Sequence, residues 1–184
     1  DVTFDTDVTV NLFKVTIRVL GGLLSSHLLA EKLQAELKEH EKTCVLLGYN
    51  GELLSLAMDL GLRLLPAFQT QTGIPYSTVN LKHGIGIAEA KASTCLAGAG
   101  TLLVEFGTLG RLTGYTIFES VAARAMKALL NRKSAKDMLP GLINVNSGHW
   151  LEQKASIGAG SDSFYEYLYK AYLLLGDASL FTEF

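Results

Sequence analysis

The chain has 184 residues, 48% of them hydrophobic, with 16 basic and 18 acidic side chains and a net charge of −2. That length and apolar content suit one domain, or part of one, and exclude a disordered chain. The near balance of charge, with no basic run beyond Asn131-Arg132-Lys133, excludes the electrostatic footprint of a nucleic-acid binder, so the expected partners are neutral or small.

Taken in chain order, residues 12–29 read as the first helix, with Phe13, Ile17, Leu20, Leu24 and Leu28 at the spacing of a buried face. Lys14 and Arg18 stand one turn apart on the other side with Gly21, Gly22 and Ser25, a polar or narrow face in which like charges repel. Gly, Ser and His interrupt the segment, so no apolar run is expected to reach the roughly 18 residues of a membrane span. Glu52–Leu64 reads as a second helix stopped by Pro66. Residues 66–94 follow, rich in Thr, Gly and Pro and without sustained periodicity, a length at which loops commonly carry function.

Residues 96–113 are expected to form a third helix ended by Gly114, and Thr116–Arg132 a fourth, with Phe118, Val121, Ala125, Ala128 and Leu129 on one side. Alternation around Asn146-Ser147-Gly148 suits a short hairpin. Residues 163–176 read as a fifth helix, and the last residues as the opening of another. A helix ending in Gly, then a short turn, then a helix opening with an aromatic and an acid recurs at 111–120, 173–183 and, more weakly, 46–54. Short turns between helices imply antiparallel pairs, hence an array of helical hairpins, closed or open. Both ends read as interior to a longer domain, so 1–184 is expected to be one segment of it.

Three features stand out chemically. Glu105 lies among Leu103, Val104 and Phe106: either it faces solvent, or it is a buried carboxylate that must be paired or functional. Asp162 precedes the fifth helix, where it either supports a capping box of Ser163 and Glu166 or points into a cavity. Arg18 either is solvated or offers its planar donor fork to a carboxylate or sugar hydroxyl. His149-Trp150 pairs an imidazole with an aromatic that either stacks on a sugar or packs, while His27 and His83 read as structural or exposed. Cys44 and Cys95 have no metal or redox spacing, and their disulfide state stays open.

The segments "TIRVLGGLLSSHLL", "RLLPAFQTQTGIPYSTVNLKHG", "TCLAGAGTLLVEFGTLGRLTG" and "IGAGSDSFYEYLYKAYLLLG", in that order, resemble the class I α-1,2-mannosidases of glycoside hydrolase family 47, in the branch of the endoplasmic-reticulum (ER) degradation-enhancing α-mannosidase-like proteins. The resemblance implies an all-α fold, helical hairpins forming part of an (α/α)7 barrel with short β-hairpins in loops. It implies inverting removal of mannose from high-mannose N-glycans of misfolded glycoproteins in the ER lumen, and a Ca2+ ion whose ligand lies outside this segment. Asp162 and Glu105 match the family's catalytic or pocket acids and Arg18 its pocket arginine. Tyr76 and Asn80 are placed at the barrel mouth to meet the glycan. One departure matters: Lys14 occupies the position at which the family keeps a glutamate, and a lysine does not replace a carboxylic acid as proton donor. A catalytically impaired module that binds high-mannose glycans or misfolded clients is therefore the alternative implication.

Overall fold

The computed structural model describes residues 2–39, 48–86, 92–134 and 138–184. Strand β1 (Thr9–Asn11) leads into a continuous helical run, α1 (Leu12–Val15), a π-helical segment (Thr16–Leu20) and α2 (Gly21–Glu39). Asn11 caps its start by accepting the Lys14 N–H at 2.9 Å. The run extends ten residues beyond the expected 12–29, and by length and composition it passes the test for a membrane span, correcting the expectation that no segment does.

The face it buries also differs from the expected one. Leu12, Thr16, Leu20, Leu24, His27 and Ala30 are buried, whereas Leu28 is 44% exposed and Phe13 and Ile17 are only partly covered. Its apolar residues occupy more than one side, so periodicity alone does not select the buried one, and the π turn resets the phase between its two α-helical parts. His27 is structural: its Nδ1 shares a hydrogen bond with the Tyr49 hydroxyl at 2.8 Å.

Helix α3 (Glu52–Leu64) has the expected bounds, and a 3-10 turn at Leu65–Phe68 follows with Pro66 in its first positions. The expected loop beyond it contains β2 (Thr78–Asn80), which pairs antiparallel with β1, Thr9 opposite Asn80. A second ladder joins β3 (Ser93–Cys95) to β4 (Leu142–Asn144). The turn after β4 closes as expected, with Asn144 Oδ1 accepting the N–H groups of Asn146 and Ser147 and with Gly148 at φ +72°. Its returning arm contributes only an isolated bridge, Ile143 to Trp150. Both ladders thus join segments distant in sequence.

The expected third helix is two: α4 (Leu96–Gly100) and α5 (Leu103–Thr113), broken at Thr101 and Leu102. Gly98 and Gly100 weaken the helix, and Gly100 is a seat for a ring, since a Cβ there would lie 2.2 Å from Phe164 Cδ2. α5 ends at Gly114 in the left-handed region (φ +77°), and α6 (Ile117–Leu130) folds back against it. α7 (Asp162–Leu175) ends in the same way at Gly176, before α8 (Ala178–Glu183). Two instances of the glycine-ended repeat are therefore real, and the third lies partly outside the described residues.

The helices pack as neighbours, α2 on α3, α3 on α5, α5 on α6 and α7, and α7 on α8. The core between them centres on Phe106, whose ring meets Phe68 at 5.2 Å and Phe118 at 6.2 Å edge to face. α3 comes close to α5 and α6 at Gly61, where a Cβ would lie 2.5 Å from Leu109 Cδ2.

Candidate active site

The break at Thr101 and Leu102 restarts the helix so that Glu105 falls in the first turn of α5, beside the first helix and α7. Glu105 is 8% exposed, which settles the alternatives in favour of a buried carboxyl. Its Oε1 accepts the Tyr167 hydroxyl of α7 at 2.6 Å. Its Oε2 is buried without a partner among the described residues. Burial is the first cause that holds this carboxyl above its ordinary value of 4.5, and the hydrogen bond from Tyr167 offsets part of it. Burial and the bond to Glu105 likewise push the Tyr167 phenol up, so Tyr167 stays a donor.

Glu105 shares a small cavity of about 180 Å³ with Gly21, Leu24, Ser25 and Leu28 of α2 and with Val104 and Thr108 of α5. A Cβ on Gly21 would meet Glu105 Cγ at 3.5 Å, an ordinary contact, and one on Gly22 would meet nothing within 4 Å. The glycine pair is therefore not imposed by close packing. Lys14 and Arg18 are exposed on the helix that carries this wall, and neither side chain forms an ion pair among the described residues. A larger cleft, about 460 Å³, lies near His27, Tyr49 and Leu54, and none of the predicted site residues lines it.

Asp162 opens α7 and is exposed, its Oδ1 accepting the Ser163 N–H at 2.8 Å. The capping box does not form: the N-cap is Ser161, without a side-chain bond, and Glu166 turns to Lys170 Nζ at 3.0 Å. Asp162 precedes Tyr167 by five positions on one helix, roughly 7.5 Å along the axis. The phenol that touches Glu105 thus ties the two acids to one pair of helices.

The loop residues separate. Tyr76 is half-buried and donates to Asn146 Oδ1 at 3.0 Å. Asn80 is buried and its amide is taken up by the protein: Nδ2 donates across to Asp7 Oδ1, before β1, at 2.9 Å, and Oδ1 accepts the N–H groups of Lys82 and His83 in its own loop. That bond from Asn80 is the first cause that lowers the Asp7 carboxyl. Trp150 packs, its Nε1 donating to the Arg132 carbonyl at 2.8 Å, and His83 lies 3.6 Å from Asp7. Cys95 caps α4, accepting the Gly98 N–H on Sγ at 3.2 Å, while Cys44 lies outside the described residues.

The resemblance places the ligand of the implied Ca2+ outside this segment, and the described residues add no metal-binding cluster of their own. Calcium takes six to eight oxygen ligands, and Glu105 supplies one unpartnered oxygen. Tyr167 is the site residue that sequence reasoning missed. Its local spacing carries no signal of the contact, which needs α5 packed on α7.

Residues 1–184 match glycosyl hydrolase family 47. The chain is 47% identical over 184 residues to alpha-mannosidase I MNS5 of Arabidopsis thaliana, covering 100% of this chain and 31% of that protein. It is 47% identical over 189 residues to ER degradation-enhancing alpha-mannosidase-like protein 3 of Homo sapiens, covering 100% of this chain and 20% of that one. Against mannosyl-oligosaccharide 1,2-alpha-mannosidase IA of Sus scrofa the identity is 36%, over 93% of this chain and 24% of that protein. The chain therefore spans less than a third of the length of these relatives. Among solved structures it superposes on an alpha-1,2-mannosidase from Trichoderma reesei with a TM-score of 0.80 at 28% identity, covering 99% of this chain and 37% of that one. The helical array is thus part of an α/α barrel, and the chain belongs to glycosyl hydrolase family 47.

Proposed function

We propose that the protein containing this chain is an α-1,2-mannosidase that trims mannose from the N-glycans of glycoproteins, in the ER lumen and on the route to degradation of misfolded ones. The observation that carries the reading is Glu105, a carboxyl that burial holds neutral to higher pH than usual, fixed by Tyr167 and placed against the helix of Arg18. The names of the relatives from plant, human and pig support the substrate class and the compartment.

Inverting hydrolysis needs one group that donates a proton to the leaving oxygen and another that activates water, about 6.5–9.5 Å from the first. Glu105 is suited to hold the proton, and exposed Asp162 to accept one from the attacking water. Water's oxygen bonds to the anomeric carbon, the glycosidic bond breaks, and Glu105's proton leaves on the departing sugar. The Arg18 guanidinium offers paired donors to hydroxyls of the mannose. Tyr76 sits with Asn146 at the loop, where it meets the outer part of the glycan, and Asn80 supports that loop from inside.

Lys14 favours a second reading. It stands exposed where the relatives of the resemblance keep an acid, and a protein short of one acid binds high-mannose glycan without cutting it. Release of mannose from a high-mannose oligosaccharide by the full-length protein tests the first reading. Binding without release supports the second, and failure to bind rejects both.

A further inference from the structure

Residues 69–76 and the turn after β4 are stapled together. Thr72 Oγ1 donates to the Val145 carbonyl at 2.5 Å and Tyr76 Oη to Asn146 Oδ1 at 3.0 Å. Thr72 Oγ1 also accepts the Ile74 N–H, and Thr70 Oγ1 donates to the Ile74 carbonyl at 2.8 Å. Gly73, at φ +79°, rests on Arg124, whose Cγ would be 3.1 Å from a Cβ there. Arg124 in turn donates to the Phe68 carbonyl. The loop is thus ordered before anything binds, which lowers the cost of binding.

Between the stapled segments lies a groove of about 290 Å³ lined by Gln69, Thr70, Gln71, Tyr76 and Asn146. Gln69, Gln71 and Asn146 are exposed, and no charged side chain lines the groove. With Asn146 Oδ1 taken by Tyr76, its Nδ2 is left to donate, and the two glutamines each add a donor and an acceptor. Paired carboxamides beside the edge of an aromatic ring match the alternating donors and acceptors of vicinal hydroxyls. A lining without charge gives phosphate or carboxylate nothing to pair with.

The groove is separate from the acids. Gly141, at the near end of β4, lies beside Ser161, the N-cap of α7, with a Cβ position 3.8 Å from Ser161 Oγ. Val145 lies at the far end, roughly 13 Å away along an extended strand. We propose that this groove is a second saccharide subsite, which holds a neutral part of the oligosaccharide remote from the bond that is cut. The proposal rests on the glycan reading above.

Titration calorimetry on the full-length protein tests it with two probes, a high-mannose oligosaccharide and α-1,2-linked mannobiose, which is too short to reach from the acids to the groove. The variant is Gln69→Ala with Gln71→Ala, which leaves the Tyr76–Asn146 bond in place. The expected result is about tenfold weaker binding of the oligosaccharide, the loss of one or two hydrogen bonds, with mannobiose binding and the thermal midpoint unchanged. Equal losses for both probes, or no loss for the oligosaccharide, overturn the subsite. If the unaltered protein binds neither probe, the glycan reading itself fails.

Discussion

Glu105 and Asp162 both stand in the first turn of a helix, yet their surroundings are opposite. Glu105 lies under the first helix with one oxygen on Tyr167 and the other shielded, whereas Asp162 faces solvent and bonds to its own helix start. Under the proposed function, the same chemical group in the same kind of position is set two different tasks, holding a proton and taking one. What differs is the packing: α5 is wedged between the first helix, α3, α6 and α7, while the start of α7 opens at a loop.

The two acids are expected to matter most in activity. Glu105→Gln and Asp162→Asn are each expected to lower mannose release by roughly 10²–10⁴-fold, measured as turnover of an α-1,2-linked oligosaccharide by the full-length protein. An unchanged rate in either variant removes that acid from the chemistry. Next in size is the seat of Glu105. Phe106→Ala empties the ring cluster with Phe68 and Phe118 and is expected to cost about 3–5 kcal/mol in denaturant unfolding, whereas Asp162→Ala stays within about 0.5 kcal/mol.

Tyr167→Phe sharpens the contrast. It leaves both oxygens of a buried carboxyl unpartnered, which costs roughly 1–3 kcal/mol, and it raises the Glu105 carboxyl further, because the lost bond is one that lowers it. The smallest effect is a pH dependence. The fold raises the Glu105 carboxyl above its ordinary 4.5, so the folded chain holds that proton more tightly than the unfolded one. The group's contribution to stability is therefore greatest below the ordinary value and is lost as pH rises through the raised folded value. Denaturation midpoints of the unaltered protein and Glu105→Gln are expected to diverge with rising pH, the variant gaining. A constant offset rejects a raised carboxyl.

Much of this arrangement was legible where the signals are local. α3 carries apolar residues at helical spacing and stops at Pro66, and α5 and α7 end at glycines that take the left-handed conformation after them. The first helix was legible as a helix but not in its buried face, because its apolar residues occupy more than one side and its π turn shifts the phase. Phe164 seats against Gly100 beside the break, 64 positions on, and no local pattern reports such a contact. The same holds for Tyr167, whose hydroxyl finds Glu105 across two helices, and for both ladders, which pair distant loops. Motif acids were visible by resemblance, but their division into buried and exposed is a property of packing.

Under the proposed function this chain supplies acids to a glycosidic-bond cleavage despite Lys14. Release of free mannose from a high-mannose oligosaccharide, followed by NMR of the first-formed anomer, tests it most directly with the full-length protein, its Glu105→Gln variant and its Lys14→Glu variant. Inverted mannose is expected from the unaltered protein, none above background from Glu105→Gln, and faster release from Lys14→Glu. No release from the unaltered protein, with release appearing only in Lys14→Glu, would contradict it and leave a protein that binds glycans without cutting them.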